Sequence, residues 1–382
     1  MLSFVLAFVA AVPGVITVDD DGPADFADVP AAVAAASGGE TLLIWPGVYH
    51  PTSTSKALTL VGAVPSVKPR ILLEFKVDGA SSFTAEGIEF DELQVWNVAG
   101  RVRLDDCVIT GTSGWGEAGT CVVQACPDVV ITRCTIDYLD FFWLYSGHEA
   151  LAIVDSTVSL VDTTVTGPDG GDDPTAPDWG YEAIRTFGGV ELRAIGCNLF
   201  GGNGGVGMWP ADGVPAIVEW SGSLDLVIRG SSMHTVSGGN NANCVSVSGG
   251  YTWSGVSMVS YAGVVPPPVS PAEPCLLIGG QSQNLRRIEL YGAAGDTALA
   301  MISLGSAHFD PLGFAGDSVL LEPSLAVAWK AMPLLGQDTP ATALVRPPAS
   351  MGLVGLPLDV QALVWRPGDV FVTNAHQLVL LN

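Results

Sequence analysis

Basic residues are scarce in this chain of 382 residues: Lys and Arg total 15 against 39 Asp and Glu, a formal net charge of -24. Phosphate neutralisation needs a basic footprint, so this balance excludes a nucleic-acid partner. It also sets the chain against gripping an acidic polymer directly, unless a cation such as Ca²⁺ bridges the two; the plainer reading of the acidity is solubility. Charged residues of either sign make up only 14% of the chain. Long apolar runs are missing too. Leu2 to Val12 is too short to span a bilayer, and no later stretch is a transmembrane segment. The small residues Val9, Ala10 and Ala11 offer a signal-peptidase site although no Lys or Arg precedes the run, so residues 1–14 read as a signal-peptide region and the protein as secreted or displayed on the cell surface. EF-hand, zinc and nucleotide-loop signatures are absent.

What is present is turn and strand material. The 46 Gly and 26 Pro, with abundant Val, Ser, Thr and Leu, favour many short strands joined by turns. With 48% hydrophobic residues the chain has ample core and is not disordered.

Repeats organise those strands. A small residue followed by a large apolar one recurs at Cys121-Val122, Ala150-Leu151, Ala183-Ile184, Ala216-Ile217, Cys244-Val245, Cys275-Leu276 and Ala298-Leu299. A second series follows each of these, with Cys107, Cys134, Thr163, Cys197 and Ser231 two places before Ile109, Ile136, Val165, Leu199 and Met233. A coil of this kind cannot bury its own apolar face. Stacking coils about 4.8 Å apart aligns like residues into continuous rows. Val122, Leu151, Ile184, Ile217 and their equivalents through Leu299 are expected to form one interior row. The Cys/Thr/Ser series is expected to stack near a bend, as small hydrophobes and not disulfides. A local Cys121–Cys126 bridge is the alternative. The odd total of seven cysteines cannot pair completely.

The exposed first coil needs a cover. Asp28 suits an N-cap, Pro30 a first turn, and Gly38-Gly39 a stop, which predicts a short helix through Ala36. Expected, then, is an all-β chain: a right-handed parallel β-helix with its N-terminal cap over 15–304, the Pro-rich Val264 to Pro274 being an extruded loop. A small β-rich C-terminal module over 305–382 follows, either a cap on the open end or a surface-attachment element.

The stretch from Ile16 to Asp19, Gly22, Asp25-Phe26, Pro30 to Ala36 and Gly38 to Tyr49 resembles the opening of pectin-lyase-like right-handed parallel β-helix proteins. The C-terminal segment is similar to small β modules that end many secreted bacterial proteins. The superfamily holds lyases, hydrolases, epimerases, adhesins and phage tailspikes, so the resemblance implies a fold and leaves the chemistry open. The Trp-Ile-Asp-His strand motif of its lyases and the Asn-Thr-Asp, His-Gly and Arg-x-Lys series of its hydrolases are missing, and Gly147-His148-Glu149 matches only part of the latter.

Enzymes of this fold build sites on an outer sheet face, where stacking brings distant residues together. Register places His148 beside Tyr181, Glu149 beside Glu182, and Ala152 beside Arg185, with Tyr181 and Arg185 facing outward. Glu149, Glu182, His148, Tyr181 and Arg185 are therefore the candidate catalytic residues. Trp143, Tyr145, Trp179, Trp209 and Asp212 are candidate substrate contacts, since aromatic faces suit sugar rings. Asp169, Asp172, Asp173 and Asp178 form an acidic loop able to offer oxygen ligands to Ca²⁺. Three readings stay open: paired carboxylates acting on a glycosidic bond, an elimination with Arg185 as base, or an ordinary polar turn with Arg185 in an ion pair. The expected partner is a polysaccharide or cell-surface glycan, to be bound or degraded; the rival is a non-enzymatic surface or matrix rod.

Overall fold

The computed structural model describes residues 14–111, 120–138, 149–170, 180–205, 212–230, 234–240, 242–248, 251–254 and 256–259 in the first part of the chain. Beyond these it describes 275–282, 285–291, 293–303, 306–309, 319–321, 326–334, 341–345, 357–366, 369–372 and 376–379. The signal-peptide region up to residue 13 lies outside them, as does the loop from Val264 to Pro274.

Strands from Val15–Val18 to Ser257–Val259 form one sheet system in which every pairing is parallel and joins a strand to its counterpart one coil away. This is the expected parallel β-helix; crossover connections between parallel strands take the right-handed sense. One interior row runs Phe75, Leu93, Cys121, Leu151, Ile184, Ile217 and Val245. Most members are completely buried. The row corrects the sequence reading at its first member. Cys121 lies opposite Leu151, and Val122 lies opposite Ala152. The small-then-large rule slips by one there because side chains alternate in and out, and the inward place at this coil is filled by the cysteine. A second inner row runs Leu104, Ile131, Leu160, Ala194, Ile228 and Trp253, and a third Ile109, Ile136, Val165, Leu199, Val236 and Met258.

Two corners turn each coil, and both use the left-handed backbone region. At one, Asn97, Ala125, Asp155 and Gly188 have positive φ; at the other Gly87, Asp106, Arg133, Asp162 and Gly196 do. A small residue follows most of them, Val98 after Asn97 and Ile88 after Gly87 being the exceptions. After the second corner these are Cys107, Cys134, Thr163 and Cys197, linked coil to coil by Cys107 N–H donating to Cys134 Sγ at 3.4 Å and Cys134 N–H donating to Thr163 Oγ1 at 3.3 Å. After the first, Cys126 N–H donates to Ser156 Oγ at 3.0 Å. Cys107, Cys121, Cys126, Cys134, Cys197 and Cys244 are all free and buried, so no Cys121–Cys126 bridge exists.

The helix Val29–Ala35 buries Val29, Ala32 and Val33 and so covers the first coil. Asp28 caps it, its carboxylate accepting from Val29 N–H at 2.8 Å, with Pro30 in the first turn. The stop differs from the glycine signal. Ala36 is the C-cap, and the Lys56 ammonium satisfies the open carbonyls of Val33, Ala34 and Ala36 at 2.9, 2.9 and 2.7 Å. A cation there also complements the helix dipole.

Among the described residues the parallel ladder runs to Val259, and the strands from Cys275 onward pair antiparallel. Strand Cys275–Ser282 pairs antiparallel with Leu285–Tyr291, and Thr297–Ser303 lies antiparallel between Ala326–Pro333 and Pro357–Arg366. The last two members of the small-then-large series therefore belong to antiparallel sheets. Alternating burial gives an antiparallel strand the same two-residue pattern as a solenoid strand, which is why the rhythm runs on into these strands.

Candidate functional site

The outward row beside the first interior row runs Lys76, Gln94, Val122, Ala152, Arg185, Val218 and Ser246. Arg185 is its polar centre. Register puts Leu151 opposite Ile184, which sets Glu149 and Glu182 one above the other just before those strands. Arg185 Nη2 donates to Glu182 Oε2 at 2.5 Å, and Nη1 lies 3.0 Å from Glu149 Oε2. The two glutamates are 5% and 6% exposed. The arms are unequal. Glu149 Oε2 makes no hydrogen bond of acceptable geometry despite its closeness, nor does Arg185 Nε. The Trp220 ring covers the guanidinium at 4.9 Å. Trp220 owes this position to a bulge: Thr186 pairs with Glu219 and Phe187 with Ser221, so Trp220 has no partner opposite and is turned out, 63% exposed.

A groove of about 520 Å³ lies at the turns that follow a different set of strands. Three equivalent places on three successive coils build it. Its floor is Thr166, Phe200 and Ser237, paired in register. Gly167, Gly201 and Gly238 come next in the chain. Asp169, Asn203 and Asn240 form the rim, all exposed. The rim residues lock one another. Asp169 Oδ1 accepts Asn203 N–H at 2.7 Å and Asn203 Nδ2–H at 3.1 Å. Asn203 Oδ1 accepts Asn240 N–H at 3.0 Å, and Asn240 Oδ1 accepts Gly204 N–H at 2.7 Å. Glycine is required where these turns stack backbone on backbone: a Cβ on Gly202 would lie 1.8 Å from Pro168 O.

The sequence-derived set thus divides in two. Glu149, Glu182 and Arg185 meet as expected. Asp169 joins the groove, and Asp212 is exposed just before Gly213, whose N–H donates to Asn240 O at 2.7 Å. Tyr181 is half-buried, with its backbone held between Pro168 O and Gly202 N–H, both at 2.9 Å. His148, Trp143, Tyr145, Trp179, Trp209, Asp172, Asp173 and Asp178 lie outside the described residues. Of the proposed calcium ligands only Asp169 is therefore placed, and its Oδ1 already takes two amide hydrogens. The described carboxylates grouped closely enough to share an ion are instead Asp19, Asp20 and Asp21. Sequence reasoning missed Trp220, because a bulge leaves no mark in a periodic pattern. Nor did it single out Asn203 and Asn240 as a stack, although their Gly-rich turns were the available signal.

Coil stacking and the capped opening make this a parallel β-helix protein. No protein-family model and no curated protein matches the chain. Among solved structures it is similar to the enzymatically active domain of tailspike protein 2 of bacteriophage CBA120, at 12% identity and a TM-score of 0.26, covering 88% of this chain and 64% of that one. The full-length tailspike protein 2 of the Escherichia coli O157:H7 bacteriophage aligns at 13% identity and a TM-score of 0.29, over 88% of this chain and 57% of that one. A tailspike of Acinetobacter baumannii bacteriophage Fri1, a capsular polysaccharide depolymerase, aligns at 9% identity and 0.25, over 90% and 64%. The chain thus spans less than two thirds of the length of each.

Proposed function

We propose that the protein binds an extended polysaccharide along the groove, with the sugar chain parallel to the solenoid axis. The observation that carries this reading is the repetition of Asp169, Asn203 and Asn240 at one place on three successive coils. A polymer presents the same hydroxyls at regular intervals, and coils about 4.8 Å apart present the same polar groups at intervals near the length of a sugar ring. Mutual hydrogen bonding holds the rim amides in place before any ligand arrives, which lowers the cost of binding. Phe200 supplies an apolar patch on the floor, and the volume lies within the range of ligand clefts.

Binding without cleavage fits the rest of the molecule. Hydrolysis by paired carboxylates needs two acids facing a bond, whereas Glu149 and Glu182 both face Arg185 from buried positions. The same contacts pair Arg185 Nη1 and Nη2 with the two carboxylates, which suits an ion-pair partner better than the base of an elimination. Export, read from the apolar run at the start of the chain, belongs to the same proposal.

The test is a panel of neutral, amino and uronate polysaccharides, assayed for binding by calorimetry. Cleavage is followed by ultraviolet absorbance and reducing ends, with and without Ca²⁺. Binding without turnover, weakened at least fivefold by Asn203→Ala or Asn240→Ala, is expected. Affinity for no glycan would overturn the proposal, and turnover abolished by Glu182→Gln would replace it with a hydrolytic site at Arg185.

A further inference from the structure

We infer that the groove selects a glycan bearing amino groups over one bearing uronate groups, and that Asp169 and Asp137 provide the selective end. This rests on the groove being a glycan site at all. Two features support it.

The first is the charge of the lining. Among the described residues that form the groove Asp169 is the one ionisable side chain, and none of them is Lys, Arg or His. Asp169 Oδ1 is taken by the Asn203 amides, while Oδ2 has no hydrogen-bond partner among the described residues. One carboxylate oxygen at the rim is thus left for a ligand, and an anionic sugar finds no counter-charge there.

The second is Asp137. Strand Thr135–Tyr138 pairs with Thr164–Thr166 so that Asp137 lies opposite Thr166. The outward row of the groove floor, Ser237, Phe200 and Thr166, therefore continues into Asp137 one coil below. Asp137 is half-buried, and Lys and Arg are absent from the floor row it joins. Burial, reinforced by the nearby Asp169 charge and only partly offset by the Tyr138 N–H, holds its carboxyl above the ordinary range. Asp137 and Asp169 thus stand towards one end of the groove, with no Lys or Arg among the described residues of its lining or floor row. An ammonium placed between them relieves their repulsion, whereas a uronate adds a third negative charge. The acidity of the chain as a whole acts in the same direction on a polymer's approach.

Three oligosaccharides of equal length separate these effects: a chitosan oligomer, the chitin oligomer with the same backbone but acetylated amines, and an oligogalacturonate. Binding is measured by calorimetry at mildly acidic pH, where chitosan is charged, at low and high salt. The expected result is chitosan tighter than chitin by about three- to tenfold, an advantage reduced by salt, and no oligogalacturonate binding. Asp137→Asn should shrink the chitosan advantage and leave chitin binding unchanged, while Asp169→Asn, a change in the rim itself, should weaken chitosan by a larger factor than chitin. Asn203→Ala should weaken both sugars together. Equal chitosan and chitin affinities, both sensitive to Asn203→Ala, would overturn the amino selectivity and leave the glycan groove standing. Failure of all three oligomers, with no other glycan binding, would remove the groove reading itself. Oligogalacturonate binding that appears on adding Ca²⁺ would also overturn the inference, by assigning the acidic end to a cation.

Discussion

Replacing Arg185 by Met separates a structural Arg185 cluster from a catalytic one. The guanidinium side chain is 17% exposed and its two partners 6% and 9%, so the change leaves two like charges buried next to each other with nothing between them. Breaking a buried pair by removing one partner costs about 3–5 kcal/mol. Removing all three charges at once, in Arg185→Met/Glu149→Gln/Glu182→Gln, leaves no ion uncompensated and should return stability to within about 1 kcal/mol of the parent or above it. The unequal arms add a finer expectation. Glu182 accepts a hydrogen bond from Arg185 and Glu149 Oε2 does not, so Glu182→Gln should cost more than Glu149→Gln. Chemical denaturation followed by far-ultraviolet circular dichroism reads each change as a shift in midpoint at constant slope. An Arg185→Met protein within about 0.5 kcal/mol of the parent, the range of an ordinary surface change, would refute a buried structural cluster. The triple variant should also bind glycan like the parent, because the groove shares none of these residues.

Two further predictions concern groups inside the coils. Burial pushes the Cys121 thiol up to about 12 and raises those of Cys126, Cys134 and Cys244 as well. Because the thiolate is the nucleophile, these cysteines should resist thiol reagents until the protein unfolds; mass-spectrometric detection of rapid native-state labelling at Cys121 would contradict this. Burial pushes the Asp128 carboxyl up, but Arg103 and Arg101 outweigh it and hold the group below its ordinary range. A depressed carboxylate contributes stability that is present above its unfolded-state value and is lost as pH falls through the folded-state value. Asp128→Asn should therefore flatten the acid side of the stability profile; superimposable acid-unfolding curves for the two proteins would show the ion pairs to be without effect.

Much of the fold was legible because a solenoid writes each coil separately. Leu151, Ile184 and Ile217 repeat one environment, and repetition survives local noise. The failures have particular causes. Cys121 takes an inward place usually given to a larger residue, so the rule drawn from Ala150, Ala183 and Ala216 misassigned Val122. Cys275 and Ala298 kept the alternating pattern while changing from parallel to antiparallel partners, and alternation alone carries no strand direction. Within the site, Glu149, Glu182 and Arg185 were found by register. Trp220 depended on a bulge, and the Asp169–Asn203–Asn240 ladder on loop residues whose spacing varies from coil to coil.

The corners of the coil carry one more implication. Asn97, Arg133 and Asp155 each adopt a backbone conformation that favours glycine, at an expense of about 1–2 kcal/mol apiece. Each also reaches to a neighbouring level: Asn97 Nδ2 donates to Asp78 Oδ1 at 3.0 Å, Arg133 Nη2 pairs with Asp105 Oδ2 at 2.6 Å, and Asp155 Oδ1 accepts from Gly189 N–H at 2.9 Å. A solitary turn of the spiral would bear the strain without the staple that offsets it. Order must then spread from a level already formed, and excising a single level would loosen both of those that flanked it.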